Sequence, residues 1–142
     1  MDADERRLTQ SRMKVETYKY SDITEKIIKA SYEVHNNLGY GFLEKVYENS
    51  LAIELRKMGV NVEQQKPIKV LYKDEVVGDY VADLVVEGNV IVEIKSVSQL
   101  EQPHEVQLVN YLKATGMEIG LLINFGKSVE VKRKIFENIN NQ

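Results

Sequence analysis

The chain has no cysteine, no tryptophan and only two prolines in 142 residues. Without thiols there is no disulfide, no thiolate zinc site and no cysteine nucleophile. The lack fits a reducing cytoplasm, which is the expected location. No run approaches the roughly 18 apolar residues of a membrane-crossing helix, so no membrane partner is expected. The opening "MDADERRLTQSRMKVETYKY" is charged and lacks the apolar centre of a signal peptide. Nor is there an excess of basic charge: 19 Lys and Arg stand against 22 Asp and Glu, a net charge of −3. Bulk attraction to nucleic acid or anionic membrane is therefore not expected, and any such contact needs a local basic patch or a bound cation. Internal repeats, low-complexity tracts and interdomain linkers are also missing.

What is present is ordinary for a globular protein: 43% hydrophobic and 29% charged residues. The length suits one domain with a real core. Residues 1–20 read as a flexible, solvated lead-in, with Met13 as a second candidate start, and residues 21–142 as a single domain. A helix is expected to begin after Ser21 or Asp22, both good N-caps. Ile23, Ile27, Ala30, Val34 and Leu38 form its apolar stripe, and Gly39 and Gly41 end it. A second helix should cover about Leu43 to Met58, capped by Gly59.

"VEQQKPIKVLY" reads as a strand in which Pro67 marks an edge position or a bulge. The chain turns at Lys73-Asp74 into "EVVGDYVADLVVE" and again at Gly88-Asn89 into "VIVEIKS". Pro103 opens a third helix that Gly116 stops. "IGLLINF" is apolar throughout, as in a strand covered on both faces, and "SVEVKRKIF" adds a last strand. The expected fold is α/β, an α+β sandwich of order ααβββαββ with a mixed sheet.

Three polar insertions interrupt the apolar faces. In "VIVEIKS", Ile91, Glu93 and Lys95 share one face and Val90, Val92 and Ile94 the other. Asp83 joins Glu93 only if the hairpin loop has three residues or a bulge, because a two-residue Gly88-Asn89 loop would pair Asp83 with Ile94 on the wrong face. The odd loop or the bulge is the expectation. Two converging carboxylates repel and call for a cation between them, and oxygen ligands select a hard ion, Mg²⁺ or Mn²⁺. The bland alternative is a half-exposed edge strand with a solvated Glu and Lys. Glu44 is the second insertion, on a line with Tyr47, Leu51, Leu55 and Met58. It is either a fourth charge for that site or a carboxylate favoured by the helix dipole. Gln107 is the third, on the stripe of His104, Leu108, Tyr111, Leu112 and Thr115. A core-facing amide needs partners at both ends, and with Tyr111 one turn on it can present donors to a phosphate or a base. His35 and His104 lack partners at zinc-ligand spacing, and Lys132-Arg133-Lys134 is the best local basic run for a phosphate contact.

Gly41, Glu44 and Tyr47 spell G-x-x-E-x-x-Y. With "ADLVVEGNVIVEIKS", "QLVNYL" and "GLLINFG", the chain from about Ile23 to Ile135 resembles the GxxExxY proteins of the PD-(D/E)XK nuclease superfamily. The resemblance implies a restriction-endonuclease-like core and a Mg²⁺-dependent phosphodiesterase, with Mn²⁺ as a substitute ion. It assigns the motif acids to Asp83 and Glu93, the motif lysine to Lys95, the first-helix acid to Glu44 and the Q-x-x-x-Y element to Gln107 and Tyr111. Ala82 replaces the proline of the superfamily's name, at a position that shapes the strand and touches no metal. On this basis Asp83, Glu93, the Ile94 carbonyl and Glu44 would bind the metal, and Gln107 and Tyr111 the substrate. The implied partner is nucleic acid, DNA ahead of RNA, with a homodimer as one way to gain binding surface. The competing expectation is a catalytically silent nuclease fold that binds nucleic acid or a partner protein.

Overall fold

The computed structural model describes residues 20–137. Apart from Tyr20, the expected N-terminal lead-in lies outside the described residues. Three helices, α1 (Ser21–Leu38), α2 (Glu44–Lys57) and α3 (Gln102–Thr115), accompany five strands, β1 (Val62–Tyr72), β2 (Glu75–Val86), β3 (Val90–Lys95), β4 (Ile119–Phe125) and β5 (Val129–Ile135). The chain order is ααβββαββ, as the hydrophobic periods indicate. The strands form one sheet in the order β1-β2-β3-β4-β5. All neighbours are antiparallel except β3 and β4, which run parallel. A parallel neighbour requires a crossover, and α3 supplies it. The α1 helix starts at Ser21 itself, a residue or two earlier than its capping side chains suggest. Pro67 does lie on an edge strand, where a missing N–H costs no ladder bond.

The sheet is covered on both faces. On one side Ile27, Ala30 and Val34 of α1 and Tyr47, Leu51 and Leu55 of α2 pack on Leu84, Val86, Val90, Val92, Ile94 and Leu121. On the other, Leu108, Tyr111 and Leu112 of α3 pack on Ile68, Ala82, Val85, Ile91 and Leu122. Both faces of β3 are therefore core, including the Ile91 face that the sequence alone leaves open.

Besides the register shift between Val70 and Leu71, the regular alternation of side chains breaks across β1 and β2 together. Val62 and Ile68 are an even number of residues apart and should share a face, yet Val62 belongs to the α1/α2 core and Ile68 to the α3 core. Leu84 and Ala82 divide in the same way. Between the pairs Gln64–Leu84 and Lys66–Ala82 lie Gln65 and Asp83, and Gln65 has φ = 53°. A left-handed residue in mid-strand rolls the next side chain onto the opposite face. That conformation costs of order 1–3 kcal/mol in a residue other than glycine, so neighbouring contacts must hold it.

Helix α3 approaches β4 closely at Gly120. A Cβ there would lie 2.7 Å from Leu108 Cδ1 and 3.0 Å from its Cγ, and Leu108 is fully buried. Gly120→Ala is expected to destabilise the fold by roughly 1–3 kcal/mol through overpacking. Chemical denaturation checks this, and an unchanged midpoint would show that α3 can move aside freely.

Candidate active site

The β2–β3 connection has three residues, Glu87, Gly88 and Asn89. Val86 pairs with Val90, Val85 with Ile91 and Leu84 with Val92. Glu87 and Gly88 both have positive φ, 53° and 66°, and Asn89 N–H bonds back to the Val86 carbonyl at 3.0 Å. This is the odd loop expected from the pattern, and it brings Asp83 to Glu93. The two are fastened crosswise. The Asp83 N–H donates to Glu93 Oε1 at 3.0 Å, and the Ile94 N–H donates to Asp83 Oδ2 at 2.8 Å. Each carboxylate thus interrupts the ladder and takes the place of a strand carbonyl.

The site lies on central strands, and Glu93 is only 5% exposed. The bland alternative of a wet edge strand is thereby excluded. Burial pushes the Glu93 carboxyl up to about 8, with the charge of Asp83 acting in the same direction. Asp83 is raised mainly by burial too, against the Ile94 amide that lowers it, with Glu48 adding repulsion. Lys95, half-buried two residues beyond Glu93, draws both acids back down. A pair of adjacent acids in this state requires a proton or a cation. The donors are hard oxygens, which suits Mg²⁺ or Mn²⁺. Among the described residues no three His, Asp or Glu side chains gather tightly enough to form a metal cluster by themselves. A metal would rely on the two carboxylates, backbone oxygen and water, the sparse coordination that Mg²⁺ tolerates.

The acid turned inward from α2 is Glu48, not Glu44. Glu44 is exposed and lines a cavity of about 480 Å³ together with Phe42, Glu48, Gln65, Asp83 and Ser96. At the start of α2 Leu43 and Glu44 are exposed, and the core-facing stripe begins at Tyr47. Glu48 is 3% exposed. Its Oε2 accepts from Lys45 Nζ at 3.0 Å and Gln64 Nε2 at 2.7 Å, and its Oε1 accepts from Gln65 Nε2. These bonds hold the left-handed Gln65 in place, and with it the reversal that flanks Asp83. Sequence reasoning missed Glu48 because it sits beside Tyr47 rather than on the line drawn through Glu44. The signal was available in a second period, since Glu48, Leu51, Ala52 and Leu55 also share a stripe.

From the opposite face comes α3. Gln107 Nε2 donates to the Tyr111 hydroxyl at 2.8 Å. Tyr111 has its pKa raised by burial and then by the charge of Glu93, with Asp83 contributing less, which puts its hydroxyl in the field of the acid pair. Because that oxygen accepts from Gln107, its own proton is free to be donated to another group.

The glycine and tyrosine of G-x-x-E-x-x-Y are structural. Tyr47 hydroxyl donates to the Gly39 carbonyl at 2.7 Å and accepts from Phe42 N–H at 3.3 Å, while its ring stacks on Phe125 at 4.5 Å. Gly41 has φ = 106°, a region that side chains rarely tolerate. Ser96 Oγ closes the loop onto β3 by donating to the Phe42 carbonyl at 2.8 Å. His35 hydrogen-bonds the Gly126 carbonyl and His104 Nδ1 accepts from Glu101 N–H, so both histidines have structural partners. In the basic run, Lys134 is paired with Glu105 at 2.7 Å.

Fold and acid pair together define a class. The sequence model of the PD-(D/E)XK nuclease superfamily matches residues 21–135, and the chain belongs to that superfamily. The narrower likeness to the GxxExxY proteins rests on Gly41, Glu44 and Tyr47. No curated protein matches significantly. Among solved structures the chain is similar to one described as "Crystal structure of SSO0001", with 17% identity and a TM-score of 0.51 over 65% of this chain and 50% of that one. It is also similar to an alkaline exonuclease (LHK-Exo) from Laribacter hongkongensis, with 12% identity and a TM-score of 0.49 over 66% and 56%. The chain spans about half the length of these two proteins. The first likeness shows the fold and nothing finer.

Glu93 keeps its proton up to about pH 8 when folded, against an ordinary value of 4.5. Between those values the native state binds one proton more than the unfolded state, so stability falls as pH rises. Metal-free protein in EDTA is expected to melt lower at pH 8 than at pH 5, and Glu93→Gln should flatten that decline. An equally steep decline in the variant would show that Glu93 titrates normally. For the α2 acids, Glu48→Ala should cost roughly 1–3 kcal/mol by stranding its donors, while Glu44→Ala should stay within about 0.5 kcal/mol. Thermal melts of both variants separate the two roles.

Proposed function

We propose that the protein hydrolyses nucleic-acid phosphodiester bonds, with DNA as the expected substrate, at a site formed by Asp83, Glu93 and Lys95. The observation that carries this is the crosswise pairing of Asp83 and Glu93 on buried central strands, with Lys95 on the same strand and the Tyr111 hydroxyl in their field. Asp83, Glu93 and the Ile94 carbonyl would hold Mg²⁺ or Mn²⁺, and Glu44, in the wall of the cavity it shares with Asp83, would reach it through water. When bound, such an ion polarises the scissile phosphate and lowers the pKa of a coordinated water.

The residues of the chain divide the remaining work. Lys95 orients the attacking water and offsets the negative charge that grows on the phosphate oxygens as the P–O bond breaks. Tyr111, kept protonated by its surroundings, donates to a phosphate oxygen, and Gln107 fixes the direction of that hydroxyl. Glu48 stays outside the reacting centre. Its acceptors are committed to Lys45, Gln64 and Gln65, and its part is to hold the wall behind Asp83.

Digestion of plasmid and oligonucleotide substrates with Mg²⁺ or Mn²⁺ tests the proposal. Asp83→Ala and Lys95→Ala should each lower the rate at least about 10²-fold, as loss of a group that stabilises transition-state charge does. Glu93→Gln should abolish Mn²⁺ binding measured by titration. Equal cleavage by wild type and both alanine variants would identify a contaminant and remove the assignment.

A further inference from the structure

A cavity of about 1150 Å³ does not contain the acids. It lies between the outer half of the β1–β2 hairpin and α3. Its walls include Lys69 and Tyr80 from the hairpin and His104, Asn110, Tyr111 and Lys113 from the helix. In a chain with an excess of carboxylates, this cavity is lined by none. Among the described residues neither lysine forms an ion pair. Asp79 faces Lys69 directly across the ladder, on the sheet face opposite to Ile68 and Tyr80, so Lys69 meets the cavity only at its margin and has a carboxylate beside it. Lys113, with the amide side chains of Gln102, Gln107 and Asn110 in the same wall, is the cation that suits an anionic ligand. The remaining wall is apolar and aromatic: Tyr80 is 49% exposed, and its ring leans on Tyr111 at 5.7 Å and 48°.

We infer that this cleft holds a single, unpaired nucleic-acid strand and leads it past Tyr111 to the acid pair, an inference that rests on the nuclease reading above. A cationic groove with an exposed aromatic ring matches the chemistry of single-strand binding, in which lysines follow the phosphates and bases stack on rings. A duplex is a poor occupant, because its bases already stack on one another and offer no face to Tyr80. Tyr111 joins the two regions. Its ring lines the cleft, while its hydroxyl is influenced by Glu93 and Asp83. Tyr80 and Lys113 thus select the substrate without touching the reacting atoms.

Fluorescence anisotropy in EDTA, where no cleavage occurs, reads the cleft separately from the chemistry. The probes are labelled oligo(dT) and oligo(U), with a blunt hairpin duplex as competitor. Wild type should bind the single strands, and the duplex should compete poorly. Lys113→Glu should reduce the salt slope of binding by about 0.7, one phosphate contact on a single strand. Tyr80→Ala should weaken binding about tenfold. Asp83→Asn, which keeps an acceptor for the Ile94 N–H, should bind at least as tightly as wild type. These cleft positions are exposed, so melting temperatures should not move. Unchanged binding in the cleft variants, a duplex that competes as well as the single strand, or no binding by wild type would each overturn the inference. If the cleft variants lose binding as expected but wild type cleaves nothing with Mg²⁺ or Mn²⁺, the nuclease reading fails and the strand-binding cleft stands.

Discussion

Everything at the site depends on two hydrogen bonds between side chains and backbone. Asp83 and Glu93 each accept an amide proton from the other's strand. In a plain β-ladder these amides would meet carbonyl oxygens, and the carboxylates would be free to swing towards water. Here the acids are part of the ladder, so they cannot separate without breaking strand pairing. Their proximity is maintained although it is electrostatically unfavourable, and it adds to burial, the larger cause, in raising Glu93 towards neutrality.

That geometry needs two local devices. One is the three-residue loop, whose left-handed Glu87 and Gly88 set the register. The other is the reversal at Gln65 and Asp83, held by the buried Glu48. Glu48 is therefore both a support and a burden: it keeps the strand in shape and adds repulsion to Asp83. A buried charge with three donors is well compensated.

Much of this was legible in the residues. Element order followed from hydrophobic periods, and the loop length followed from asking which register lets Asp83 meet Glu93. The pairing of Gln107 and Tyr111 on one helix face followed from their spacing of one turn, whereas the hydrogen bond between them is a finding of the structure. The α2 acid was not read correctly. Helical periodicity says which residues share a face, but not where along the helix that face meets the core, and on this stripe burial begins at Tyr47, one residue short of a turn beyond Glu44. The reversal at Gln65 was hidden for a related reason: glutamine carries no sequence signal for positive φ, and its conformation is set by Glu48 from another element. The second core under α3 was likewise obscured, because Glu93 and Lys95 interrupt an otherwise apolar face.

The two-sided sandwich has a consequence for how such a protein can change. The acids are anchored to the strands themselves, whereas Gln107, Tyr111 and the cleft wall belong to a helix laid over them. A shift or substitution in that outer layer reshapes the cleft while leaving the charged pair intact. Under the proposed strand-cleaving role, selectivity and bond-breaking would thus be carried by separable parts of one small protein, the first able to drift while backbone geometry holds the second.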